Sequence, residues 1–370
     1  MPKNTRRVIA GTVAGITLGA VAAPASASAA PRENAVQAAA DRLVADGQPG
    51  VIVMTRRGDR VSHVTSGVAD KATGRAMDHR LRLRIASVTK TFTATVMLQL
   101  VADRGYGISL DDTVDRWLPE VVRANGNDGT AITIRHLLQH TSGLNEYVLA
   151  PRVLNDPRRT WKPRELVDLA LERRPIDAPG ATWHYANTNY ILAGMIIERV
   201  TGHSLGSEFR SRIVRPLGLR HTTLPIADRG FPAPYVHGYF GDLGDVSTEI
   251  SPSSGWASGG IISTVDDVAT FHRALFTGRM LPKAQQRELT RTREVNDDGQ
   301  VEDYGLGVYR VQLSCGYAWG HDGGFPGYRT WTYTSANGRR QAVLTYNLSS
   351  LDTPKFRADR AGAADAAFCA

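Results

Sequence analysis

Strand-like runs lie near both ends of this chain, and helical periodicity fills the space between them, so the two ends must meet. Val51-Ile52-Val53-Met54 and Val61-Ser62-His63-Val64 read as strands around the turn Arg57-Gly58-Asp59. Further strands are expected at 305–309, 318–321, 328–333 and 342–346. Helices are expected at about 33–46, 87–104, 133–140, 163–172, 188–201, 206–215 and 353–368. The pattern predicts an α/β fold: a mainly antiparallel sheet built from both chain ends, flanked by helices, with a mostly helical domain inserted. The expected division is 31–80 with 256–370 for the sheet part and 81–255 for the insertion. A ligand site belongs at the seam between them.

Residues 1–30 read as an export signal. Lys3, Arg6 and Arg7 precede a 16-residue apolar run from Val8 to Ala23, then small residues from Ala25 to Ala30. The run falls short of the roughly 20 residues that span a bilayer. A secreted protein without a membrane span is expected. Removing that segment lowers the formal charge from +8 to +5. Basic and acidic residues intersperse over the rest, a pattern that disfavours nucleic-acid binding. Cys315 and Cys369 are the chain's two cysteines. In an oxidising compartment they are expected to form a disulfide, worth roughly 4 kcal/mol by chain entropy.

Within the first long central helix, Ser87-Val88-Thr89-Lys90 sets a serine and a lysine one turn apart. Of 44 Lys+Arg, only Lys3, Lys71, Lys90, Lys162, Lys283 and Lys355 are lysines. A buried lysine can lose its proton at working pH and arginine cannot. An ordinary N-cap serine and a surface lysine would give the same four letters, so two further constellations matter. Tyr185-Ala186-Asn187 puts a phenol and a carboxamide on a loop before a helix. His321-Asp322-Gly323-Gly324 places glycines in a strand, where another backbone or a ligand approaches closely.

In this order (S-x-x-K, Y-x-N, H-x-G) the chain resembles the penicillin-recognising serine hydrolases: secreted D-alanyl-D-alanine carboxypeptidases, class C β-lactamases, and related esterases and D-aminopeptidases. The segments 66–70, 137–144, 185–202 and 259–264 share in the resemblance, as do Tyr304-Gly305-Leu306-Gly307 and the pair Cys315/Cys369. It implies a β-lactamase/transpeptidase-like fold and a serine acyl-enzyme formed without cofactor. Ser87 would be the nucleophile, Lys90 its proton acceptor and Tyr185 the phenol sharing that task. Asn187 would hold the substrate amide. His321, Asp322, Gly323 and Gly324 would line the substrate, with the backbone N–H groups of Ser87 and Gly324 as the oxyanion hole. The expected partners are peptidoglycan stem peptides or related small peptide, ester and amide substrates, with β-lactams as covalent ligands of a monomer. D-Ala-D-Ala carboxypeptidase action is the first reading. Esterase, D-amidase or class C-like β-lactamase activity is the alternative, and a silent cell-wall-binding module the non-enzymatic one.

The third motif departs from the pattern, because Asp322 stands where threonine or serine is usual. An ionised aspartate beside a substrate carboxylate repels it by about 1–4 kcal/mol at 4 Å. Strand alternation is expected to turn Arg310 away and leave Tyr309 facing the site. Free D-Ala carboxylates should therefore be handled less well than amides, esters or substrates carrying an amine. His136 and His140 have the i,i+4 spacing of zinc helices but lack the glutamate of H-E-x-x-H, so no metal is expected there.

Overall fold

One antiparallel sheet joins the two ends of the chain. The computed structural model describes residues 30–297 and 301–369; the expected export signal lies outside them except for its last residue. The N-terminal part supplies β1 (Gly50–Arg57), β2 (Arg60–Asp70) and β3 (Arg75–Ala76). A separate two-stranded pair consists of β4 (Leu83–Arg84) and β5 (Ile262–Ser263). The C-terminal part adds β6 (Arg293–Asp297), β7 (Val301–Tyr304), β8 (Tyr309–Leu313), β9 (Gly316–Gly320), β10 (Asp322–Phe325), β11 (Tyr328–Thr334) and β12 (Arg340–Tyr346). The order is β3-β2-β1-β12-β11-β9-β8-β7-β6, with β10 on β11. The seam between the chain ends is the β1–β12 pair, in register from Val51↔Tyr346 to Arg57↔Arg340.

The run Val51 to Met54 is apolar throughout because both of its faces are covered. Ile52, Met54 and Val343 point into the larger core, shared with the helical region. Val51, Val53, Leu344 and Tyr346 point the other way. There they meet Val36 and Leu43 of α1 (Ala30–Ala45) and Phe356 and Phe368 of the last helix, Pro354–Cys369. The Cys315–Cys369 disulfide fastens that helix to the β8–β9 turn, with the Cα atoms 5.5 Å apart. Among the described residues no helix is long and apolar enough to cross a membrane.

The helical region contributes α2 (Thr89–Ala102) and α3 (Asn187–Thr201) to the site, together with the short α4 (Trp256–Gly259). Three expectations are corrected. The first central helix begins later than expected: Ala86–Val88 is a 3-10 turn, and α2 starts at Thr89. Residues 305–308 are not strand, because Gly307 is left-handed (φ +75°) and wedged where a Cβ would lie 2.7 Å from the Tyr190 hydroxyl. The helix expected over 206–215 breaks into short pieces, with a π turn at Arg210–Val214. A helix absent from the sequence reading, α5 (Val265–Phe276), covers β12 and is capped by Thr264, which accepts from the Asp267 N–H.

Candidate active site

Ser87 sits on a strained turn. Ala86 is held at φ +50°, a left-handed conformation that costs a residue with a Cβ roughly 1–3 kcal/mol. Among the described residues four others without glycine's freedom share that conformation, and two of them belong to the site's surroundings: His140, stacked on Tyr185, and Trp256, which opens the helix that supplies the Ser258 carbonyl. The turn leaves Ser87 partly exposed while Lys90, one turn on, is fully buried. Lys90 Nζ lies 3.0 Å from Ser87 Oγ, 2.6 Å from Asn187 Oδ1 and 2.9 Å from the Ser258 carbonyl. In its neutral form the amine donates to the last two acceptors and turns its lone pair to the Ser87 O–H.

Tyr185 and Asn187 flank the start of α3. The Tyr185 ring stacks on His140 at 4.2 Å and passes 4.7 Å from Lys90 Nζ. His140 is buried, and its Nδ1 accepts from the Ala186 N–H and the Asn189 amide. The cause of its depressed basicity is burial first, then Lys90. His140 lies beyond the helix Ile134–Leu138, and His136 caps that helix by accepting the Thr133 N–H. The two histidines therefore share no metal-binding face. Asn187 is more committed than expected. Its Oδ1 receives Lys90, while its backbone N–H and Nδ2 donate to Glu146 Oε2 at 2.7 and 2.9 Å.

Glu146 and the Ser258 carbonyl were missed by the sequence reading. Glu146 follows the Leu137–Leu144 segment by two residues and is partly exposed. A carbonyl carries no sequence signature at all.

β10 brings the third motif against the nucleophile turn. A Cβ on Gly323 would lie 2.2 Å from the Ile85 carbonyl, so only glycine fits there. His321 is buried, with Nε2 2.9 Å from the Tyr304 hydroxyl and Nδ1 2.5 Å from the Asp322 carbonyl. Burial, then Lys90, lowers it to about 3, so this position carries no charge at neutral pH. Tyr309 is buried 5.5 Å from the His321 ring, and Arg310 is ion-paired with Asp303, as strand alternation predicts.

Asp322 differs from expectation. It lies on the opposite strand face from Gly323, lining a cavity of about 910 Å³ with Arg329, Trp331 and Arg360. Its charge nonetheless acts on Lys90 and Tyr185. Gly324 is exposed on that same face, beneath the Arg329 guanidinium.

The electrostatics separate two proton carriers. Burial lowers the Lys90 ammonium to about 7, against the opposing fields of Glu146 and Asp322. Burial, then Asp322, pushes the Tyr185 phenol well above its ordinary value, and a hydrogen bond with Ser87 opposes the shift. Releasing a proton from Lys90 at pH 7 is therefore nearly free, where an ordinary lysine pays roughly 5 kcal/mol. The arrangement holds a base beside a hydroxyl, with a protonated phenol nearby.

Comparison with known proteins gives the family and the fold. The Beta-lactamase family model matches residues 36–367. Penicillin-binding protein 4* of Bacillus subtilis is 28% identical over 315 residues, covering 80% of this chain and 68% of that protein. A D-stereospecific amidohydrolase from a Streptomyces species superposes with a TM-score of 0.82 at 39% identity, over 91% of this chain and 98% of that one. The D-amino acid amidase of Ochrobactrum anthropi gives 0.80 at 29% identity, over the same shares of the two chains. The chain spans about half to two thirds of the length of the curated relatives it matches.

Proposed function

The chain belongs to the Beta-lactamase family of serine hydrolases, and we propose that it hydrolyses D-amino-acid amides and short peptides with a free amino terminus through an acyl-enzyme on Ser87. Lys90 takes the Ser87 proton, and Oγ attacks the carbonyl carbon. The backbone N–H groups of Ser87 and Gly324 hold the oxyanion. The C–N bond then breaks as Tyr185 protonates the leaving nitrogen, and the Lys90 proton replaces the one Tyr185 gave. Water attacks the ester in the second half, passes a proton back through the same pair, and releases the D-amino acid. β-Lactams acylate the same serine. Export belongs to this reading, favoured by the basic, then apolar, start of the chain and by the Cys315–Cys369 disulfide.

One observation carries the preference for amines over carboxylates: the Glu146 carboxylate stands against Asn187 beside the nucleophile's base. Arg310 on β8 is already paired with Asp303, and Arg329, nearer the third motif in sequence, lies beside Asp322 and acts on its carboxylate. An ammonium group gains a charge-assisted hydrogen bond at Glu146, worth about 1.5–3 kcal/mol, and a free carboxylate meets repulsion.

The test compares D-alaninamide, N-acetyl-D-alaninamide, an N-acylated D-Ala-D-Ala peptide and a short acetate ester. The wild type should favour the free amine. Glu146→Gln should cost D-alaninamide about 10–100-fold in kcat/KM and leave the ester within about 3-fold. A preference for the acylated dipeptide returns the assignment to a carboxypeptidase, and equal losses on every substrate remove Glu146 from recognition.

A further inference from the structure

We propose that His63, His79 and Asp266 form a binding site for one zinc-type transition-metal dication, separate from the acylation site. The three residues come from distant parts of the chain: β2, the segment after β3, and the first turn of α5. That scatter hides them from any motif. His63 Nε2 lies 2.6 Å from one Asp266 oxygen and His79 Nδ1 lies 2.7 Å from the other. The two imidazoles stack with centroids 3.7 Å apart and planes 15° from parallel, which aims both nitrogens at the same carboxylate. Among the described residues this is the one group of three or more histidine, cysteine and acidic side chains whose ligand atoms all lie within 4.8 Å of one another.

Those separations suit a small ion. Zinc holds imidazole nitrogen and carboxylate oxygen at about 2.0–2.2 Å, which sets tetrahedral ligands roughly 3.3–3.5 Å apart. The two histidine–carboxylate separations, 2.6 and 2.7 Å, are hydrogen-bond distances, so each must widen by under ~1 Å as the ion replaces the shared proton. Two nitrogens and one oxygen favour zinc, nickel, cobalt or copper over magnesium or calcium, which prefer all-oxygen shells. The side chains are 23%, 33% and 38% exposed, so an ion enters from solvent and keeps a water at its fourth position.

Two cations lie near. Arg56 acts on Asp266 but directs its Nε to Gln341, and Arg273 pairs with Asp59. Neither occupies the carboxylate. A bound ion would tie β2 to α5 across 203 residues of sequence and brace the sheet against the helix that covers it.

The experiment uses the full chain without a polyhistidine tag, stripped with chelator and titrated with zinc chloride by calorimetry. One equivalent should bind, and the melting temperature should rise by a few degrees at saturation. His63→Ala/His79→Ala and Asp266→Asn should each weaken uptake by at least ~100-fold, because the first removes two ligands and the second the charged one. Ser87→Ala should bind as the wild type does. No uptake by the wild type, or undiminished uptake by the double variant, overturns the proposal. Should those variants fail to fold, zinc protection of wild-type histidines from diethyl pyrocarbonate decides it. Protection is expected at His63 and His79, and protection confined to other histidines sinks the site.

Discussion

Lys90 and Arg84 stand three residues on either side of Ser87, both cut off from solvent, and the protein treats them in opposite ways. Lys90 has an acceptor for each of its three N–H groups and is lowered to about 7. Arg84 lies between Phe231 and Phe325, 4.8 and 5.0 Å from the ring centroids, and reaches two carbonyls at 3.4 Å. Its Nε and Nη1 have no hydrogen-bond partner among the described residues. Burial lowers it only to about 10, so it stays charged. Similar burial thus yields a titratable base in one case and a packed, permanently charged filler in the other. What separates them is the intrinsic basicity of the side chain and the polar partners supplied.

The strongest way to break this contrast is to exchange the chemistry at residue 90. Lys90→Arg keeps a cation there but removes the group that can become neutral. Acylation of Ser87 by a fluorophosphonate, followed by intact mass, should slow by about 10³-fold or more, within the usual reach of general-base catalysis. Lys90→Met should do no worse than Lys90→Arg. If arginine restores even a tenth of the rate, Lys90 acts through its charge and the base lies elsewhere.

A second test reads the same depressed basicity through stability. Below about 7 lysine is charged in both folded and unfolded states, and the folded state bears the full cost of burial. Between about 7 and 10.5 the unfolded chain binds more protons than the folded one, so stability must rise with pH. Against Lys90→Met, the wild type should gain roughly 2 kcal/mol in urea unfolding between about pH 7.5 and 9. The kcat/KM profile should show its acid limb near 7, from Lys90. It should show no second limb from His321, which is already neutral there. A flat stability difference would mean that Lys90 stays charged in the folded protein.

What the sequence made legible divides along the same line. Ser87, Lys90, Tyr185, Asn187, His321 and Gly323 were readable because each lies in a short pattern whose order along the chain is informative. The elements that complete the site act through space. Ser258 contributes a carbonyl, which any residue could supply. Glu146 matters because the loop before α3 folds back onto it. Asn187 was expected to wait for substrate, but tertiary contacts occupy both ends of its amide. At the fold level the sheet was legible from its continuous apolar run at 51–54, buried on both faces. The failure at 305–308 came from glycine: the alternation looks extended, and the left-handed Gly307 breaks it. Helix α5 was readable in principle from the Thr264 cap with Asp266 and Asp267 in its first turn.

The smallest expected effect sharpens the contrast from the arginine side. If Arg84 is mainly a packed filler, its charge met only by two carbonyls at 3.4 Å and two aromatic faces, a side chain of similar length without the charge should do as well. Arg84→Met keeps apolar contact with Phe231 and Phe325, removes two nitrogens without a hydrogen-bond partner among the described residues, and gives up only the two 3.4 Å bonds of Nη2. Replacing a buried charge by a well-packed apolar group is commonly neutral or stabilising. The variant should therefore gain about 1 kcal/mol in urea unfolding and acylate Ser87 within about 3-fold of the wild-type rate. Arg84→Ala, which opens a cavity between the rings, should instead destabilise the fold by about 2–4 kcal/mol. A methionine variant as unstable as the alanine one would show that the guanidinium charge is needed. The two cations beside Ser87 would then differ in degree rather than in kind.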